Sequence, residues 1–132
     1  EALQAETPAA LAALQPKDAR PQILRRRIGK EAPVMLFVVS QWPKVRTFHL
    51  RSLTTARAIE NQMFVVCCNS CGTAGETVYG GNSAMIDPWG ETIALAGEEE
   101  QLLSAQLDMS VIDNIRNSIH VFRDRRPELY QL

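Results

Sequence analysis

An α/β fold built on a mixed β-sheet with helices is what this sequence predicts, and three observations carry that prediction. Two short apolar runs, Val34–Val39 and Met63–Cys68, are rich in valine and have the length of buried strands. Between them lies a stretch of helical periodicity, so the order is that of a β-α-β crossover whose strands are covered on both faces. Beyond them the pattern shifts to short strands around a tight turn, which points to antiparallel pairing.

Residues 1–20 form an Ala-rich lead-in with Pro8 in its middle and the polar Pro16-Lys17-Asp18 near its end. Pro21 suits the first turn of a helix, Gln22 to Arg27 are good helix formers, and Gly29 is a natural stop. The strand Val34–Val39 follows, then a turn at Ser40-Gln41-Trp42-Pro43. A long helix is expected from about Val45 to Asn61, with Phe48, Leu50, Leu53, Ala56, Arg57 and Ile59 or Glu60 recurring at helical intervals. Met63–Cys68 is the second strand, Asn69 to Gly75 breaks it, and Gly80-Gly81 marks a tight backbone site. Ser83–Ile86 and Thr92–Leu95 flank Asp87-Pro88-Trp89-Gly90, a hairpin turn. Leu102–Leu107 alternates as a further strand, and Asp108 or Ser110 caps a last helix reaching about Ser118. The organisation read from this pattern is a lead-in over 1–20, one domain over 21–122 and a charged tail over 123–132.

Composition removes several classes of function. Hydrophobic residues are 45% and charged residues 22% of the chain, and the net charge is -1, so no bulk cationic field draws it to nucleic acid or to an acidic membrane. No apolar run approaches the roughly 18 residues of a membrane helix. The three cysteines, Cys67, Cys68 and Cys71, are clustered in an apolar stretch, which suits a reducing compartment better than a secreted disulfide framework. With no export signal to read, a cytoplasmic location is expected. Because it opens on Glu1 rather than Met, the chain is read as a processed or excerpted piece.

Five motifs then fall in a telling order: Phe37-Val38-Val39-Ser40-Gln41-Trp42-Pro43, Ala56-Arg57-Ala58-Ile59-Glu60-Asn61-Gln62, Tyr79-Gly80-Gly81-Asn82-Ser83, Ile86-Asp87-Pro88-Trp89-Gly90-Glu91 and Arg125-Arg126-Pro127-Glu128-Leu129-Tyr130. In that order they resemble the carbon-nitrogen hydrolase (nitrilase) superfamily, and within it the omega-amidase-like branch, over roughly Pro21 to Tyr130. The resemblance implies the second half of a nitrilase-type α-β-β-α sandwich, in a family whose members pair into dimers. It implies hydrolysis of a small carboxamide to acid and ammonia by a Cys nucleophile, a Glu base and an oxyanion-holding Lys, with no metal or organic cofactor. A complete member is roughly twice this length and carries its Glu and Lys in the preceding half. Its nucleophile motif, resembling Cys-Tyr-Asp-x-Arg-Phe-Pro-Glu, falls on Gln15 to Gln22, so the nucleophile position reads Gln15 and this chain alone is expected to be inactive. The other reading is a truncated, non-catalytic relative that serves as a structural or interaction domain.

The remaining chemistry-bearing residues each have a plain rival. By resemblance Gln41, Trp42 and Pro43 line the substrate pocket, at a strand end where open α/β sheets place ligands; the rival is a Trp capping the core. Arg57 and Glu60, three apart on the helix, pair across one face, and the resemblance implies a structural role near the sheet and the dimer contact. Cys67 and Cys68 point to opposite faces of their strand and are read as small hydrophobes. A zinc site on Cys68 and Cys71 would need His49 and His120, each alone in its segment, so no metal is assigned. Arg20, Arg25, Arg26, Arg27 and Lys30 form a basic run read as a solvated helix face, not a nucleic-acid surface. The expected partners are a small amide substrate, in a complete protein, and a second copy or a complementary half; the tail is read either as a dimer contact or as a frayed end.

Overall fold

Residues 33–126 and 129 are described by the computed structural model. Val34–Arg125 cluster as one unit. Pro33, Arg126 and Leu129 fall in a second, where Leu129 N donates to the Arg126 carbonyl at 2.9 Å. The helix expected at Pro21–Arg27 lies outside the described residues.

Continuous valine-rich sequence gives strands β1, Met35–Ser40, and β2, Phe64–Asn69, paired in parallel from Met35↔Phe64 to Ser40↔Asn69. Between them run a single 3-10 turn, Lys44–Arg46, and helix α1, Thr47–Asn61. β5, Ala84–Ile86, lies antiparallel beside β2, and β6, Thr92–Leu95, antiparallel beside β5, so the sheet order is β1-β2-β5-β6 and the sheet is mixed as expected. The turn between β5 and β6 forms as the sequence indicates. Asp87 Oδ1 accepts from the backbone of Trp89 at 2.9 Å and Glu91 at 2.8 Å, and Gly90 takes a left-handed φ of 89°. α2, Ser110–Ser118, closes the order, with Asp108 Oδ1 accepting from Ser110 N at 3.0 Å. Hydrogen bonding from the Ser110 hydroxyl, and then from its backbone N–H, holds the Asp108 carboxyl below its usual range.

α1 packs on β2 and β5. In register across the strands, Leu36, Val65, Cys67, Ala84 and Ile86 are buried on one face of the sheet. On the other face Phe37 is 54% and Val39 88% exposed, beside the exposed Cys68.

Four expectations fail. β1, expected to be covered on both faces, is open on the face that carries Phe37 and Val39. The buried stripe of α1 is Leu50, Thr54, Ala58 and Asn61, whereas Phe48 is 77% exposed and Leu53, Ala56 and Ile59 are also exposed. Polar residues replace bulk in that stripe because their groups are satisfied locally: Thr54 Oγ1 donates to the Leu50 carbonyl at 2.8 Å and Asn61 Nδ2 to that of Arg57 at 3.0 Å. The break expected over Asn69 to Gly75 instead contains β3, Cys71–Ala74, which pairs antiparallel with β4, Thr77–Gly80, through a two-residue loop with Gly75 at φ 59°. Leu102–Leu107 forms no strand: its alternation finds no neighbouring strand among the described residues, and Leu102 stays 94% exposed.

Candidate functional site

Parallel strands deliver their carboxyl ends to the same edge of a sheet, which is where α/β proteins collect ligand-binding groups. Here those ends are Ser40 and Asn69, and the turn Gln41-Trp42-Pro43 leaves from the first of them. Gln41 is exposed, while Trp42 and Pro43 are half-buried, and Pro43 makes a lone antiparallel bridge to Tyr79 of β4. The missed hairpin β3–β4 therefore stands directly against the turn.

A residue that sequence reasoning passed over organises this edge. Asn69, only 7% exposed, accepts on Oδ1 from Trp42 N at 2.7 Å and from Ser40 Oγ at 3.0 Å. Its Nδ2 donates to the carbonyls of Gly81 at 2.8 Å and Trp42 at 3.2 Å. Its backbone N–H goes to Ser83 Oγ at 3.0 Å. The available signal was a carboxamide closing a valine-rich run, at the strand end where such groups matter.

The tight site at Gly80-Gly81 has a geometric cause. Gly81 has a φ of 57°, and a Cβ there would come within 2.5 Å of the Gly97 carbonyl oxygen; at Gly80 it would come within 2.4 Å of Thr47 Oγ1. Gly81 lies too close to the Gly97–Glu98 backbone, and Gly80 too close to the Thr47 side chain, to carry a Cβ without displacing them.

The cysteines separate as the pleat demands. Cys67 is buried, with its thiol 4.0 Å from Ser40 Oγ, and Cys68 is exposed on the opposite face. Burial pushes the Cys67 thiol up from 9.0; the Ser40 hydroxyl pulls partly the other way and Cys68 adds slightly. Cys67 is thus a protonated core thiol at neutral pH, the opposite of what a nucleophile requires. Among the described residues no group of three or more His, Cys, Asp and Glu side chains converges to hold a metal ion.

Arg57 Nη1 donates to Glu60 Oε1 on α1, with both side chains about four-fifths buried (20% and 24% exposed). Neither residue is part of the Asn69 network. Beside the hairpin an open depression of about 360 Å³ is lined by Cys71, Val78, Tyr79, Glu98, Glu99 and Glu100, and Lys44 Nζ reaches Glu98 Oε2 at 2.6 Å. Gln41, Trp42 and Pro43 do not line it. Gln15 lies outside the described residues. No helix among the described residues is long and apolar enough to cross a membrane.

Comparison with known proteins agrees with this architecture. Residues 18–117 match the carbon-nitrogen hydrolase family model. The chain is 43% identical over 110 residues to a 2-oxoglutaramate amidase of Bacillus subtilis, covering 83% of this chain and 42% of that protein. It is 38% identical over 85 residues to an omega-amidase of Xenopus laevis, covering 64% of this chain and 31% of that one. The crystal structure of Saccharomyces cerevisiae Nit3, a member of branch 10 of the nitrilase superfamily, superposes with a TM-score of 0.71 at 27% identity over 80% of this chain and 40% of that one. The chain spans less than half the length of these relatives. With its parallel pair, its antiparallel extension and its family match in agreement, the chain belongs to the carbon-nitrogen hydrolase family.

Proposed function

We propose that this chain is part of an amidase that hydrolyses a small carboxamide to acid and ammonia, and that its own contribution is the pocket wall at Gln41, Trp42 and Pro43. The observation that carries the reading is the family match over 18–117, which includes the whole Asn69-held turn. The chemistry expected of such an enzyme needs three groups. A thiolate attacks the carboxamide carbon, and a lysine ammonium holds the resulting oxyanion. A carboxylic acid passes a proton to the departing nitrogen, ammonia leaves, and water then cleaves the thioester to release the acid and restore the thiol. Of the described thiols, Cys67 is buried and protonated and Cys68 faces away from the Asn69 network, and the family pattern puts its nucleophile at neither of these nor at Cys71 but at the position of Gln15. In the family pattern the Glu and Lys lie in the half that precedes this region, so the proposal assigns the reactive trio to sequence outside these residues, and a location in the cytoplasm and a small amide substrate are part of the same proposal.

The second reading is a non-catalytic relative that serves as a structural or interaction domain. Gln15 at the nucleophile position favours it, because an amide side chain cannot form a thioester. Intact mass of the native protein, measured beside ammonia release from small omega-amides, decides between them. A longer polypeptide with turnover is the expected result. A native mass of 132 residues with no turnover selects the second reading. Turnover by this chain alone that vanishes in Cys67→Ala or Cys68→Ala would overturn both.

A further inference from the structure

Backbone pairing between β1 and β2 stops at Ser40↔Asn69, yet the two segments do not separate there. The Asn69 side chain takes over. It receives the Trp42 N–H on Oδ1 and gives an Nδ2 hydrogen to the Trp42 carbonyl, the two-bond exchange that a residue of an antiparallel neighbour makes and that the parallel β1–β2 ladder does not supply. The second Nδ2 hydrogen goes to Gly81 and the second Oδ1 lone pair to Ser40, so both donors and both acceptor sites are used. No other neutral side chain of this length offers two donors and an acceptor across one planar group. At 7% exposure, water has little room to replace any of them.

Three segments converge on this one amide: the end of β1, the turn 41–43 and the Gly80-Gly81 step. The last of these is independently immobilised, since Gly81 lies against the Gly97 backbone and Gly80 N donates to the same Trp42 carbonyl at 3.2 Å. The carboxamide thus ties the turn to the part of the edge that has least freedom to shift.

We infer that Asn69 is a positioning residue, whose carboxamide fixes the backbone of the Gln41-Trp42-Pro43 turn in the place from which it walls a carboxamide pocket. The pocket role of the turn rests on the function proposed above; the holding of the turn by Asn69 does not.

Amide hydrogen exchange on the full chain, resolved to single residues, tests the holding. In Asn69→Ala, exchange at Trp42 should accelerate roughly tenfold or more, while amides of the buried strands, such as Val65 and Met85, keep their protection. Asn69→Asp at low pH, where the acid is protonated and keeps the acceptor and one donor, should restore protection at Trp42. Unchanged exchange at Trp42 in Asn69→Ala, or a uniform loss across β1 and β2 that Asn69→Asp does not repair, would overturn the inference. If Asn69→Ala does not fold, Asn69→Asp carries the test alone: at neutral pH the ionised side chain has no donor for Trp42 and Gly81, so the carbonyl carbon resonances of those two residues should move and that of Val65 should not. Static resonances at both would overturn the inference. The pocket reading fails separately. A titration of the native protein with glutaramate that leaves the Gln41 and Trp42 resonances unmoved removes the pocket role and leaves the holding by Asn69 standing.

Discussion

Gln62 Nε2 donates to the Ile119 carbonyl at 2.7 Å, joining the C-terminal cap of α1 to the end of α2 across 57 residues of sequence. Gln62 is buried and left-handed at φ 48°, and it ends α1 with a hydrogen bond of its own N–H to Ile59 and of Met63 N–H to Ala58. Arg116 of α2 closes the same joint from the other side, with Nη2 on the Gln62 carbonyl at 3.3 Å and its guanidinium over the Phe122 ring at 5.2 Å. A cation on the carbonyl end of a helix is favourably placed against the helix dipole.

The joint makes a graded prediction. Gln62→Ala leaves the Ile119 carbonyl without this donor and should cost about 1–3 kcal/mol in urea unfolding. Gln62→Gly loses the same bond but adopts the left-handed conformation freely, so it should retain about 1 kcal/mol relative to Ala. Equal costs for the two would mean that the cap conformation carries no strain.

Backbone crowding at the candidate site predicts an asymmetry between glycines. Gly81→Ala must pay for a left-handed residue and also displace the Gly97 and Glu98 backbone, so a loss of about 2 kcal/mol or more is expected. Gly72→Ala, at φ 75° with open space around its Cβ, should cost only about 1 kcal/mol. Thermal melts of the two variants side by side check the order.

The cysteines predict both a labelling pattern and a pH dependence. In the native protein a thiol reagent should modify Cys68 readily and Cys67 only on unfolding. The Cys67 thiol is held above 9.0, so the unfolded chain ionises it first as pH rises. Its stabilising contribution is therefore complete below pH 9 and is lost above it, at up to about 1.4 kcal/mol per pH unit. Cys67→Ala should show a shallower alkaline decline than the parent in matched unfolding curves.

Assembly is the fourth prediction. Phe37 and Val39 stand exposed on one face of β1, which among the described residues is an edge strand of the sheet, and an exposed apolar edge of this kind favours self-association. Light scattering should find the isolated chain larger than a monomer, and Phe37→Lys with Val39→Lys should shift it toward monomer without lowering the melting temperature. A clean monomer in the parent chain would show that this face needs no cover.

Much of this fold was legible because its signals are local. Val34–Val39 and Met63–Cys68 announced strands by composition, Asp87-Pro88-Trp89-Gly90 announced its turn by residue chemistry, and adjacent cysteines on a strand had to face opposite ways. Where the sequence misled, a neighbour decided. The alternation of Leu102–Leu107 is a strand pattern, but a strand exists only beside another, and none is there among the described residues. Phe48 is apolar and periodic, yet the face of α1 that meets β2 and β5 is the one with Thr54 and Asn61, whose polar groups bond within their own helix. Asn69 offered only a carboxamide at a strand end, and its role stayed hidden because nothing in a sequence brings Ser40, Trp42 and Gly81 together. That meeting is made by the parallel pairing of β1 with β2 and by the close approach of Gly81 to Gly97, and both are contacts between residues far apart in the chain.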